Sequence, residues 1–178
     1  MHILMIVGSL RTNSYNRQLA EHIEEIIGDR AKVSYLRFDD VPLMNQDIEF
    51  PAPTTVERCR REISAADGMW IVSPEYNHSI PGSLKNLLDW MSRPILPEVK
   101  ETVLRNKPVT FSGAAGKSAS ADVRSALETL AICIRMDVIG GIGTGVSIDF
   151  MKEALILSET TEAELHAQAN TFIERCSR

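Results

Sequence analysis

The residues best suited to chemistry lie in three polar stretches, each directly after a short apolar run. The first is Gly8-Ser9-Leu10-Arg11-Thr12-Asn13-Ser14-Tyr15-Asn16, which sets three serine and threonine hydroxyls, two amides and a guanidinium just before a helical pattern. Such a set suits an anion, because a helix N-terminus offers free N–H donors and the positive end of its dipole, and Arg11 adds a full charge. Ser, Thr and Asn also cap helices, so capping is the other reading, although one of them would suffice for it. The second stretch is Ser73-Pro74-Glu75-Tyr76-Asn77-His78-Ser79-Ile80-Pro81-Gly82. Its prolines stiffen a loop in which Tyr76 offers an aromatic face, Asn77 a donor and acceptor, and the nearby amides partners for the edge of a flat heterocycle. A proline-rich turn with an exposed tyrosine is the alternative. The third, Ser112 to Ser118, is made mostly of small residues.

The elements that must position these loops follow from periodicity. Ile3 to Val7 is an unbroken apolar run, the pattern of a strand buried on both faces of a parallel sheet. Leu19, Ala20, Ile23, Ile26 and Ile27 recur at helical spacing, predicting a helix from Ser14 until Gly28 stops it. Val33 to Phe38 reads as a second strand and Thr54 to Ala66 as a charged helix. Met69 to Val72 repeats the first strand pattern, followed by a helix carrying Leu84, Leu87, Leu88 and Met91 with Pro81 at its first turn. Val109 to Phe111 predicts a fourth strand, and Val123 to Ile134 a helix. Val138 to Val146 is the expected fifth strand despite its glycines, and a capping box of Thr161 and Glu164 is expected to open the last helix. Strands alternating with helices predict a doubly wound, five-stranded parallel sheet in one domain spanning 1–178. In such a sheet ligands bind beyond the carboxyl ends of the strands, where the three polar loops fall.

Composition narrows the function classes. A formal charge of −5 with no basic run gives no footprint for nucleic acid. Cys59, Cys133 and Cys176 lie far apart without metal-like spacing, so they read as reduced thiols, and no metal site is expected. Met1 leads straight into an apolar run with no basic n-region, and nowhere are about 18 apolar residues consecutive. The expectation is a cytoplasmic protein that spans no membrane. Gly113-Ala114-Ala115-Gly116-Lys117-Ser118 resembles the tail of a P-loop, but Phe111 stands where its first glycine belongs. Gly141-Ile142-Gly143-Thr144-Gly145 likewise lacks the spacing of a dinucleotide fingerprint and reads as structural.

Two signatures carry a family resemblance. Gly8-Ser9-x-Arg11-x-x-Ser14-x-Asn16, and Ser73-Pro74-Glu75-Tyr76-Asn77-x-Ser79-x-Pro81-Gly82-x-Leu84-Lys85-Asn86-x-x-Asp89-Trp90, resemble those of the NADPH-dependent FMN reductase family. The resemblance implies a flavodoxin-like fold with strand order 2-1-3-4-5. It implies that Ser9, Arg11, Ser14, Tyr15 and Asn16 hold the FMN phosphate, and that Pro74, Glu75, Tyr76, Asn77 and Ser79 hold the ring and ribityl chain. Ser112, Gly113 and Gly116 would supply the remaining contacts, although this third loop departs from the family's usual form. Bound FMN would take hydride from NADPH or NADH and pass electrons to a small acceptor in a ping-pong cycle, without a catalytic side chain. Family members are usually homodimers or homotetramers, and the end of the third helix, with Trp90, Met91 and Arg93, is expected to be the exposed contact. The rival reading is a flavodoxin-type electron carrier that oxidises no nicotinamide, against which the mild net charge argues.

Overall fold

Strand alternation explains why the apolar runs are unbroken. In the computed structural model, which describes residues 1–178, β1 (His2–Val7) and β3 (Gly68–Val72) lie side by side in a parallel sheet. Leu4, Ile6, Met69 and Ile71 point to one face, and Ile3, Met5, Val7, Trp70 and Val72 to the other. Each face needs its own cover, so no polar residue is tolerated in the middle of either strand. Helices α2 (Thr54–Ala65), α3 (Gly82–Met91) and α4 (Ala121–Cys133) close the first face, and α1 (Tyr15–Ile27) and α5 (Glu159–Cys176) the second. Trp70 is fully buried and meets the Phe172 ring of α5 edge-on at 5.5 Å. Burying one such side chain contributes about 1.5–3 kcal/mol, against at most about 1 kcal/mol for a surface ion pair such as Lys85–Asp89. Packing, not charge, sets the architecture.

With β2 (Lys32–Tyr35), β4 (Pro108–Ala115) and a fifth strand beyond β4, the sheet runs in the expected order 2-1-3-4-5 with every pairing parallel. The fifth strand departs from expectation. It is split into β5 (Asp137–Val138), which pairs with the start of β4, and β6 (Thr144–Ser147), which pairs with its end. Gly140, Gly141 and Gly143 between them take positive φ values of 78°, 62° and 64°, lifting the chain off the ladder. Gln168 of α5 fills the gap: its amide nitrogen donates to Thr110 Oγ1 and the Phe111 carbonyl, and its oxygen accepts from the Thr144 amide.

Two further boundaries are corrected. Ser158, not Thr161, caps α5, accepting from the Thr161 amide at 3.1 Å, because the helix begins a turn earlier than the Thr161/Glu164 pattern predicts. Trp90 and Met91 are fully buried, so the end of α3 is core rather than an exposed contact. The Trp90 indole donates to the Pro42 carbonyl, as does the Asn86 amide, and Asn86 accepts from the Met44 amide. These signature residues brace the 42–44 segment. The bidentate pair of Arg93 with buried Glu49 ties down the stretch that follows.

Gly143 tests the split strand. A Cβ there would collide with the Phe111 carbonyl oxygen and the Gln168 amide at a positive φ. Gly143→Ala should lower unfolding stability by about 2–3 kcal/mol, read as a shifted urea midpoint with unchanged slope.

Candidate functional site

Adjacent strands β1 and β3 send their chains to opposite faces of the sheet, β1 to α1 and β3 to α3, so a crevice opens beyond their carboxyl ends. One wall is the loop before α1. Ser14, at φ −85° and ψ 133°, is the N-cap, its hydroxyl accepting from the Asn16 amide at 3.2 Å. Capping therefore accounts for Ser14 and leaves the rest of the loop free. The Leu10, Thr12 and Asn13 amides donate to no group in the chain, while the Arg11 amide reaches Ser9 Oγ only at 3.4 Å. Arg11 is exposed and its guanidinium pairs with no carboxylate. Unspent amides, the Ser9 and Thr12 hydroxyls and a free guanidinium at a helix N-terminus can hold a dianion.

Two residues assigned to this loop do something else with their side chains. Asn16 is buried, and its amide group accepts from the Ala114 N–H at 2.8 Å and donates to the Ala114 carbonyl at 2.9 Å. It stands in for a strand: β4 runs past the point where β3 turns away at Pro74, and Asn16 takes up the exposed ladder groups. Tyr15 donates its hydroxyl to the Lys152 carbonyl, and its ring meets Phe150 edge-on at 6.3 Å. Both residues position the loop through these contacts.

The opposite wall is the second loop. Tyr76 and Ser79 exchange both backbone hydrogen bonds, at 3.2 and 3.1 Å, across a tight turn. Asn77 and His78 at its tip take φ values of 51° and 59°, the two-residue turn that favours asparagine at its first position. The tip is thus rigid and its two amides face outward unbonded. Pro74 is buried, its carbonyl accepting from Ser73 Oγ. The Glu75 carboxylate turns away from the crevice, accepting from the Asp122 and Val123 amides and from Ser118 Oγ at 3.0, 3.2 and 2.7 Å. It caps α4 from another loop, where a carboxylate also meets the positive end of the helix dipole. His78 Nδ1 lies 2.6 Å from Asp122 Oδ2, and that hydrogen bond, then the Asp122 charge, raises its pKa above the ordinary 6.5. Glu75, His78 and Asp122 bring ligand atoms within 4.8 Å of one another, in an arrangement that serves the cap.

The third loop supplies space rather than side chains. Ser112 is fully buried, accepting from the Trp70 indole at 3.1 Å and donating to Gln168 at 3.2 Å. Gly113 sits where a Cβ would strike the Ser73 carbonyl and Ser120, so β3 and β4 approach closely only because it is glycine. Gly116 lies under the Phe150 ring, 3.2 Å from where its Cβ would be. Sequence reasoning missed Ser118 and Asp122, which share the Glu75 network, and Phe150 and Lys152, which reach the first loop from beyond β6. No local pattern marks them, since their partners are 34 or more residues away.

Comparison with known proteins places this geometry. The profile of the NADPH-dependent FMN reductase family matches residues 1–149. A 2-hydroxy-1,4-benzoquinone reductase from Burkholderia sp is 34% identical over 140 residues, 78% of this chain and 73% of that protein. A quinone reductase from Escherichia coli K12 is 40% identical over 112 residues, 61% of this chain and 57% of that one. The matched stretch thus spans little more than half of several such relatives. Among solved structures, FerB, a flavoenzyme NAD(P)H:(acceptor) oxidoreductase from Paracoccus denitrificans, superposes with a TM-score of 0.87 at 24% identity over 99% of this chain and 97% of that one. An archaeal flavodoxin superposes at 0.64 with 13% identity over the full length of both. At these identities the two structures establish the flavodoxin-like fold.

Asn16→Ala would strand the N–H and carbonyl of Ala114 in a buried position; a stability loss of about 2 kcal/mol or more is expected, measured by chemical unfolding. For His78, the raised folded pKa fixes the sign. Its contribution to stability is full below the ordinary 6.5 and is lost as pH rises through the folded pKa. Asp122→Asn should bring the His78 pKa back down, visible in an NMR titration of the ring protons.

Proposed function

Since the chain belongs to the NADPH-dependent FMN reductase family, we propose that it is an FMN-dependent NAD(P)H oxidoreductase whose acceptor is a quinone-type small molecule. The observation that carries this reading is the juxtaposition, at the ends of adjacent strands, of a loop rich in unspent donors and a rigid loop with outward amides. FMN has a terminal phosphate and a flat ring with polar edges, and the donor chemistry fits both ends. Ser9, Arg11 and the Leu10, Thr12 and Asn13 amides would hold the phosphate, with Ser14 and Asn16 fixing the loop through its cap and its anchor to β4. The Asn77 and His78 amides would meet the ring edge, and exposed Tyr76 would border it. Glu75 holds the second loop against α4, so its contribution is position.

Bound flavin supplies the hydride and electron chemistry. The protein's work is then to hold the ring against rigid backbone donors, leave one face open for nicotinamide and acceptor in turn, and place positive potential near the ring. No nucleophile or obligatory acid is needed, and Cys59 and Cys176 do not lend themselves to one, since burial pushes their thiols up to about 11. We place the protein in the reducing cytoplasm, consistent with its free cysteines; no helix is long and apolar enough to cross a membrane. A homodimer or homotetramer is our expectation for the assembly.

The test is direct. Purified protein titrated with FMN should give a bound-flavin visible spectrum, oxidise NADPH or NADH in the presence of a benzoquinone, and show parallel-line ping-pong kinetics. Arg11→Ala should weaken FMN affinity roughly tenfold or more, as expected for a lost charge-assisted contact, with little change in rate at saturating flavin. Unchanged FMN affinity in that variant would overturn the phosphate assignment, and FMN binding without nicotinamide oxidation would favour the electron carrier.

A further inference from the structure

A cleft of about 310 Å³ opens at the C-terminal end of α4, the end opposite the Glu75 cap. Lys100, Arg105 and Arg135 line it, and no carboxylate does. Two of these cations are unspent. Arg105 meets Glu101 at 3.1 Å, but Lys100 and Arg135 pair with no carboxylate, and nearby Asp137 is taken by Arg175 at 2.6 Å. Thr102, on the same wall, keeps its hydroxyl out of water with no hydrogen-bond partner. Such an orphan is rare in a folded chain and gains from any acceptor that reaches it. Cations, a spare hydroxyl and a volume fit for a small molecule favour a ligand bearing carboxylates.

Cys133 lines the same cleft, and it differs from the other two cysteines. Cys59 is buried and Cys176 half-buried, whereas Cys133 is exposed on the last turn of α4. A helix C-terminus ordinarily disfavours a thiolate, because its free carbonyls carry the negative end of the dipole. Here they are spent. The Leu130, Ala131 and Ile132 carbonyls accept from the Ile134, Met136 and Arg135 amides at 2.9, 2.9 and 3.1 Å. An accessible thiol among cations is the setting that favours exchange with an anionic disulfide. We propose that Cys133 is a reversible modification site for a small anionic disulfide of the glutathione type, whose carboxylates are recruited by Lys100 and Arg135. Cys133 Sγ attacks one sulfur of the disulfide, its new S–S bond replaces the old one, and the departing thiol carries off the Cys133 proton. The disulfide is itself the oxidant, and excess thiol reverses the exchange. This site is independent of the flavin crevice: about 16 Å of helix separates Cys133 from the Glu75 cap at Asp122.

FMN-loaded protein incubated with oxidised glutathione should gain one glutathionyl group, located at Cys133 by peptide mass mapping, lose it to dithiothreitol and keep its flavin spectrum. Cys133→Ser should gain none. The role of charge is read from rates. Lys100 and Arg135 are exposed and carry little of the fold, so the double variant Lys100→Gln, Arg135→Gln should stay folded. It should react with oxidised glutathione roughly fivefold or more slowly, and with neutral hydroxyethyl disulfide as fast as the parent protein. Added salt should narrow the first difference. Equal slowing toward both disulfides, or slowing toward neither, would overturn recruitment by the cleft. Modification at Cys59 or Cys176 in place of Cys133, or at no cysteine, would overturn the site itself. Protein that takes the group at Cys133 but binds no FMN would instead sink the flavin reading and leave this one standing.

Discussion

The ligand-facing edge of this protein depends on one side chain standing in for a strand. Where β3 turns away at Pro74, β4 continues, and the N–H and carbonyl of Ala114 are left buried on that side. The Asn16 amide group takes both. An unpaired buried peptide group costs about 1–3 kcal/mol, so this pair of bonds is a strong constraint on where the N-terminus of α1 can sit. Everything in the first loop inherits that placement: the Ser14 cap, the unspent amides and the exposed Arg11.

The same device recurs around the sheet end. Gln168 bridges the break between β5 and β6, and Glu75 caps α4 from the second loop. Arg124 donates to the Ile142 and Gly143 carbonyls, with burial lowering its pKa and no carboxylate bonded to it. In each case a polar side chain satisfies backbone groups that the loops would otherwise bury unpaired. The loops are long and irregular, yet each is fixed by side chains from distant elements. A crevice fixed in this way suits a ligand whose recognition needs backbone donors at set positions.

The first loop holds its unspent amides beyond the end of β1, at the switch between β1 and β3. Ser9, Leu10, Arg11 and Thr12 of that loop also line the cleft beside the end of β2. The family relation and the geometry point the same way about cofactor chemistry.

The sequence pattern by itself determined the doubly wound sheet and its loops, while the strand order came with the family resemblance. Runs such as Ile3 to Val7 and Met69 to Val72 are apolar at every position, and only a strand covered on both faces requires that. The signature around Ser73 to Trp90 likewise carried the family with it. Tertiary structure decided what the signature residues do. Trp90 and Asn86 brace Pro42, Asn16 completes β4, Glu75 caps α4, and Ser112 bonds Trp70 and Gln168, so several residues of a binding motif act through the backbone they hold. It also split the fifth strand at Gly140 to Gly143. Periodicity reports which face of an element is buried, but a hydrogen bond between residues 98 positions apart, such as Asn16 to Ala114, leaves no trace in local spacing. Its partner exists only once the chain has folded.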